Sequence, residues 1–235
     1  MADGEQDGRV AILTGGTGKL GRGICRAFAK QGIIPIALDL NPVEADAAAW
    51  IRQCDVTDAQ ACRDSVDEVL ERYGRVDILV NLAQVYRCDN AIMELSDDDL
   101  RISYESGPVA SMRFMQLCYP HMKALGGGNV VNCVSGAGTQ GTPRMGAYGS
   151  AKEAIRGLTK AAALEWGADN IKVNCFAPFG GDDPNMHPEV VAAVPLQRYG
   201  DPEKDIGTAI VYLASPDCYM TGRTLHLDGG IGTYR

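Results

Sequence analysis

One short segment constrains this chain more than any other. Between the β-branched run Val10–Leu13 and a helical pattern over Leu20–Gln31 lies Thr14-Gly-Gly-Thr-Gly-Lys-Leu-Gly21, with glycines at 15, 16, 18 and 21. A strand, a glycine turn and a helix in direct succession is the context in which such glycines carry meaning. Glycine permits a tight turn and a close approach of backbone to ligand. The helix start behind it, at Lys19, Leu20 and Gly21, offers unpaired N–H groups and a partial positive charge to a phosphate. The segment therefore reads as a loop that holds the pyrophosphate of a dinucleotide, with a ligand-free glycine turn as the plainer alternative. A mononucleotide P-loop fits poorly, because Gly18-Lys19 is followed by Leu20 rather than Ser or Thr.

The rest of the chain continues the rhythm that this segment begins. Val10–Leu13, Ile33–Leu38, Trp50–Cys54, Val76–Asn81, Asn129–Val134, Ile171–Ala177 and Thr224–Leu227 read as strands. Helical patterns lie between them at Leu20–Gln31, Ala59–Tyr73, Asp97–Leu125, Ala147–Gly167 and Glu203–Ala214. Strand-then-helix alternation implies parallel pairing with right-handed crossovers, hence an α/β fold with a seven-stranded parallel sheet and helices on both faces. The Asp39-to-Trp50 connection begins with Asn41-Pro42 and has room for a helix of a turn or two. No linker or repeat divides the 235 residues, so residues 1–235 are expected to form a single domain. The Pro- and Gly-rich stretch from Pro178 to Pro188 has little periodicity and reads as a functional loop or lid.

Charge and cysteine usage narrow the function. A formal net charge of -8 opposes attraction to phosphate backbones and anionic lipid, so no nucleic-acid or membrane partner is expected. No apolar stretch approaches the roughly 18 residues of a membrane span, and MADGEQDG lacks the apolar core of a signal peptide, which predicts a cytoplasmic protein. Eight cysteines occur without a CxxC pair and the three histidines are far apart in sequence. No metal site is expected on that spacing; the cysteines read as buried free thiols, with thiol catalysis as the alternative.

Two further features bear on chemistry. Asp39 closes the second strand 18 residues after Gly21, where an acid can accept hydrogen bonds from an adenosine ribose and repel a 2′-phosphate. That favours NAD over NADP; the competing reading is a turn aspartate before Asn41-Pro42, and Lys19 offsets part of the repulsion. Ser135 follows the Asn129–Val134 strand, with Tyr148 and Lys152 13 and 17 residues further on. Four residues apart on one helix, Tyr148 and Lys152 share a face and can act on one atom. A neighbouring ammonium stabilises phenolate, so Tyr148 could move a proton while a hydride travels the other way. On its own this spacing also fits a surface tyrosine beside a solvated lysine.

Taken together, Thr14-Gly15 with Gly18 and Gly21, Asp55-Val56, Asn81-x-Ala83, Ser135, Tyr148-x-x-x-Lys152, Asn174, Pro178 and Leu227-Asp228-Gly229-Gly230 resemble the short-chain dehydrogenase/reductase family in order and spacing, over nearly the whole chain. The resemblance implies a Rossmann-type, doubly wound sheet and an NAD(P)-dependent oxidoreductase acting on a secondary alcohol or ketone of small-molecule size. It makes Tyr148 the catalytic acid/base, assigns Lys152 to the nicotinamide ribose and to lowering the tyrosine pKa, and has Ser135 position the substrate oxygen. It puts Asp55 and Val56 at the adenine, with Asn81, Ala83 and Pro178 along the cofactor. It also implies a homo-oligomer, a tetramer or dimer, with the Ala147–Gly167 helix and the C-terminal strand at subunit contacts.

The chain departs from the family pattern at several points. Where the family has Asn-Asn-Ala-Gly, this chain reads Asn81-Leu82-Ala83-Gln84, which puts a bulky amide near the cofactor. The family's relay asparagine falls at Tyr104, which either substitutes for it or only packs. Phe179 and Asp183 stand where the family has Gly and Thr, so the nicotinamide contacts must differ. The glycines read TGxxGxxG rather than TGxxxGxG, a re-spaced loop that is also GxGxxG through 16, 18 and 21. Substrate choice is assigned to Gln84, Tyr86, Tyr104, Gln140 and the loop Phe179–Pro195. Asp182 and Asp183 either disfavour carboxylate substrates or are solvated loop acids. These departures keep a second reading open: a family member that binds NAD as a sensor or structural partner, or one that uses Tyr148 for a redox-neutral proton transfer.

Overall fold

The computed structural model describes residues 8–180 and 188–232. Seven strands, β1 (Val10–Thr14), β2 (Ile34–Asp39), β3 (Trp50–Gln53), β4 (Ile78–Asn81), β5 (Gly128–Cys133), β6 (Ile171–Pro178) and β7 (Thr224–Leu227), form one sheet in the order β3-β2-β1-β4-β5-β6-β7. Every pairing is parallel, as the alternation of strands and helices predicts. The helices are α1 (Lys19–Ala29), α2 (Ala59–Tyr73), α3 (Asp97–Tyr104), α4 (Ala110–Ala124), α5 (Gly136–Gln140), α6 (Gly146–Trp166), α7 (Pro188–Ala192) and α8 (Thr208–Leu213).

The central strands are apolar on both faces because both faces are covered. Val10 and Ile12 of β1 join one core with Val66 of α2 and Phe114 of α4. Ala11 and Leu13, pointing the other way, join a second core with Ile24 and Phe28 of α1 and Ile210 of α8. Local signals set the helix ends. Asp58 accepts the Gln60 and Ala61 N–H groups at the start of α2, and Gly74, at φ 72°, ends it. Ser96 and Asp99 form a capping box at the start of α3.

Three expectations are corrected. No helix forms between β2 and β3; Pro42 and the short span leave only turns. The helix expected over Asp97–Leu125 is broken into α3 and α4 by a π-turn at Glu105–Val109. Pro108 has no N–H to give the Tyr104 carbonyl, and the chain widens there. The helix expected over Glu203–Ala214 likewise opens with a π-turn, Pro202–Gly207, capped by Asp201.

The strand order reverses between β1 and β4, whose last residues Thr14 and Asn81 lie side by side. Ligands of open parallel sheets bind in the crevice beyond the carboxyl ends of the strands at such a switch point. A cleft of about 1060 Å³ opens at this place.

Candidate active site

The first wall of the cleft is backbone. Leaving β1, the chain turns through Gly15 at φ 67°, a conformation that strains any side chain. A Cβ at Gly21 would lie 2.5 Å from the carbonyl oxygens of Gly15 and Gly16, so glycine is required for α1 to start against the turn. Gly18 caps α1 with no side-chain hydrogen bond, and no acid occupies the first turn. The opening N–H groups are thus free of side-chain partners, and Gly15, Gly18, Lys19, Leu20 and Gly21 all line the cleft. Asp39, at the end of β2, ties itself to this loop: its Oδ2 accepts from the Thr17 N–H at 3.2 Å, and its Oδ1 accepts from the Asn41 N–H at 3.3 Å.

The second wall is side chain. Ser135 leaves β5 as the cap of α5, its Oγ accepting from the Ala137 N–H at 3.2 Å. Tyr148 and Lys152 come from the first turns of α6, with the Lys152 ammonium 5.5 Å from the centre of the Tyr148 ring. Burial pushes the Tyr148 phenol above its ordinary pKa, the Cys133 thiol adds to the rise, and a hydrogen bond with Ser135 opposes it. Lys152 is only 2% exposed, and burial lowers its pKa. Its Nζ donates to the Cys133 carbonyl at 2.8 Å. The Tyr86 ring meets Tyr148 edge-on, with centroids 4.9 Å apart.

The remaining predicted residues divide. Gln84, Gln140, Pro178 and Phe179 line the cleft with Ser135, Tyr148 and Lys152. Phe179 does not stand alone there, because its ring stacks on Tyr199 at 5.2 Å. Thr14 and Asn81 sit behind the wall. Thr14 Oγ1 accepts from the Leu82 and Ala83 N–H groups, and Asn81 Nδ2 donates to Asn132 Oδ1 at 2.8 Å, which in turn is tied to Thr159 of α6. Asp55 accepts from Thr57, and the carbonyl of buried Val56 takes Arg113; both follow the carboxyl end of β3, and neither lines the cleft. Tyr104, expected beside the substrate, is not among the cleft-lining residues. The cleft side of that helix is taken instead by the Gln84 amide, which donates to the Ser103 carbonyl at 3.2 Å and lies against Gly107. Asp182 and Asp183, like the centre of the Phe179–Pro195 loop, fall outside the described residues. Val190, from the loop Phe179–Pro195 assigned to substrate choice, lines the cleft, whereas sequence reasoning missed Met145, Asp228 and Ile231 as lining residues. Asp228 stood in a quoted motif without a role, whereas Met145 and Ile231 carried no signal beyond being apolar. All eight cysteines are free thiols, seven of them buried.

Comparison with known proteins then fixes the family. A family model described as enoyl-(acyl carrier protein) reductase matches residues 17–232. A 12alpha-hydroxysteroid dehydrogenase of Clostridium sp. is 37% identical, over 96% of this chain and 97% of its own. An uncharacterized short-chain type dehydrogenase/reductase of Sinorhizobium fredii is 32% identical, over 95% of this chain and 97% of its own. The chain belongs to the short-chain dehydrogenase/reductase family. Among solved structures, an NAD+-bound xylitol dehydrogenase of 26% identity superposes with a TM-score of 0.86, covering 96% of this chain and all of the other. As a short-chain dehydrogenase/reductase the chain is an oxidoreductase, and dehydrogenases of this family use nicotinamide cofactors. The residues present fit such a group: the glycine cradle leaves room only for backbone, and the α1 start offers donors to a pyrophosphate. Among the described residues, no helix is long and apolar enough to cross a membrane.

Proposed function

We propose that this short-chain dehydrogenase/reductase transfers a hydride between NAD and a secondary alcohol or the corresponding ketone, with Tyr148 as acid/base. The observation that carries this reading is the convergence of Tyr148, its hydrogen-bond partner Ser135 and the buried Lys152 on one wall, opposite a loop with unpaired helix N–H groups. The nicotinamide supplies or accepts the hydride when bound. In ketone reduction Tyr148 Oη donates its proton to the carbonyl oxygen, and in alcohol oxidation it takes the hydroxyl proton. Ser135 Oγ donates to the same oxygen and fixes its position. Lys152 Nζ spends one N–H on Cys133, which leaves two for the hydroxyls of the nicotinamide ribose. For Tyr148 to act near neutral pH, the ammonium must overcome the burial that holds the phenol high.

Asp39 supports NAD over NADP, since its carboxylate is held at the tip of β2 where a 2′-phosphate would meet like charge. Leu82, Tyr86, Met145, Val190 and Ile231 give the substrate end an apolar lining, which suits a bulky alicyclic body. The similarity to a hydroxysteroid dehydrogenase supports that class. Exposed apolar residues on two helices, Leu164 of α6 and Met112 of α4, support self-association as a dimer or tetramer. The test is nicotinamide absorbance with a 12-oxosteroid and NADH, and with a 12α-hydroxysteroid and NAD+, beside a panel of smaller ketones and alcohols. Turnover that Tyr148→Phe abolishes supports the reading. No turnover on any member, or turnover indifferent to Tyr148→Phe, contradicts it.

A further inference from the structure

Two residues at the rim of the cleft hold left-handed backbone although neither is glycine: Asp89 at φ 76° and Arg144 at φ 66°. Side chains rarely adopt this region, and aspartate tolerates it better than arginine. The two face each other. The Asp89 N–H donates to the Arg144 carbonyl at 2.8 Å, Arg144 Nε donates to Asp89 Oδ1 at 2.8 Å, and Arg144 Nη2 donates to the Asp89 carbonyl. The residues that follow continue the contact. Asn90 and Met145 form a parallel bridge, and Ile92 lies against Gly146, where a Cβ would stand 2.7 Å from Ile92 Cδ1.

Stability does not account for this clasp. Its two side chains, Asp89 and Arg144, are 84% and 51% exposed, and an ion pair so placed adds less to folding than strained backbone costs. Strain of this kind persists where a particular local shape is needed. Here a cleft-lining residue stands beside each half of the clasp. Tyr86, three residues before Asp89, meets Tyr148 edge-on at 4.9 Å, and Met145 directly follows Arg144 and leads into α6, which carries Tyr148.

We propose that Asp89 and Arg144 form a specificity-determining clasp: it fixes the gap between Tyr86 and Met145, so that the body of a bulky alicyclic substrate is gripped between these side chains while its oxygen meets Tyr148. Neither charge touches the substrate. The clasp acts through the two side chains whose places it sets. Because the grip is formed before substrate arrives, binding spends less free energy on ordering the rim. This role rests on the bulky-substrate reading above.

The test is the affinity of a 12-oxosteroid for the NAD+-saturated enzyme, read by isothermal titration calorimetry. A ketone and the oxidised cofactor do not react, so binding is measured without turnover. Arg144→Gly and Asp89→Gly each keep the left-handed backbone accessible and remove one side of the clasp. Each should weaken steroid binding by about tenfold, the loss of one good apolar contact, while NADH affinity and melting temperature stay near the wild-type values. The two variants change the charge in opposite directions, so a charge effect on the ligand would move them apart rather than together. The double variant should bind no more weakly than either single one, because both remove the same clasp. Asp89→Asn keeps an acceptor for Arg144 and the tolerance of left-handed backbone, and should bind steroid as the wild type does. Unchanged steroid affinity in the glycine variants overturns the proposal, and so does an equal weakening of NADH binding, which marks a merely structural pair. Should one glycine variant fail to fold, the other decides by the same criterion. A wild type that does not bind the steroid overturns the bulky-substrate reading and the clasp with it, whereas a wild type that binds it with unshifted variants overturns the clasp alone.

Discussion

The two walls of the cleft are built on opposite principles. The wall from Gly15 to Gly21 works through main-chain N–H groups and a helix end, and its shape depends on atoms that are missing from side chains. The wall from Ser135 to Lys152 works through side-chain atoms whose ionisation is set by burial and by one another. A backbone wall tolerates little change in shape and is indifferent to pH, whereas a side-chain wall is sensitive to both charge and protonation. Binding and chemistry should therefore fail separately when one wall is altered.

The largest expected effect is on the side-chain wall. Tyr148→Phe removes the proton and keeps the ring that packs on Tyr86, so kcat should fall by about 10²–10⁴-fold while cofactor affinity, measured by NADH fluorescence titration, stays near the wild-type value. Next comes a contrast within the backbone wall. Gly21→Ala sets a Cβ against two carbonyl oxygens at 2.5 Å and should cost roughly 1–3 kcal/mol in denaturant unfolding. Gly18→Ala meets only the Gly15 oxygen, at 3.3 Å, and its methyl otherwise enters the cleft. It should leave unfolding unchanged and weaken NADH binding.

Smaller effects sharpen the contrast. Asp39→Ala should shift the NADP-to-NAD ratio of kcat/KM by about tenfold toward NADP, since one like-charge contact near a protein surface is worth a few kcal/mol at most. The smallest is a pH effect on stability. Burial holds the folded pKa of Lys152 below its unfolded value of 10.5, so the folded state is penalised increasingly as pH falls from that value toward the folded pKa. Lys152→Met is free of this penalty. Its unfolding free energy relative to wild type should therefore rise as pH is lowered from about 10.5, as followed by urea denaturation at several pH values. A difference independent of pH would show that Lys152 is not penalised by burial.

The same division explains what could be read from residue order. The loop from Thr14 to Gly21 was legible because glycine announces a backbone demand wherever it is required, and β1 and α1 frame it within a residue or two of their expected ends. Ser135, Tyr148 and Lys152 were legible as a spacing, and the fold brings them together. Their partners were not. The Cys133 carbonyl that takes Lys152 is a main-chain oxygen, which any residue would supply. Tyr104 does not line the cleft: the helix widens beyond it at Pro108, and the Gln84 amide bonds Ser103, a contact between residues 19 apart that no local pattern encodes. Thr14 and Asn81 also brace the start of the next loop and a chain of buried amides reaching α6, contacts across the sheet that residue order does not show.

The separation of the two walls is tested most directly by single-turnover hydride transfer at saturating NADH, with the ketone that the enzyme reduces, in Gly18→Ala and in Tyr148→Phe. Once the cofactor is driven on by mass action, Gly18→Ala should transfer hydride at close to the wild-type rate, and Tyr148→Phe should remain slower by about 10²-fold or more. A Gly18→Ala enzyme that stays as slow as Tyr148→Phe with its cofactor site full would contradict the account.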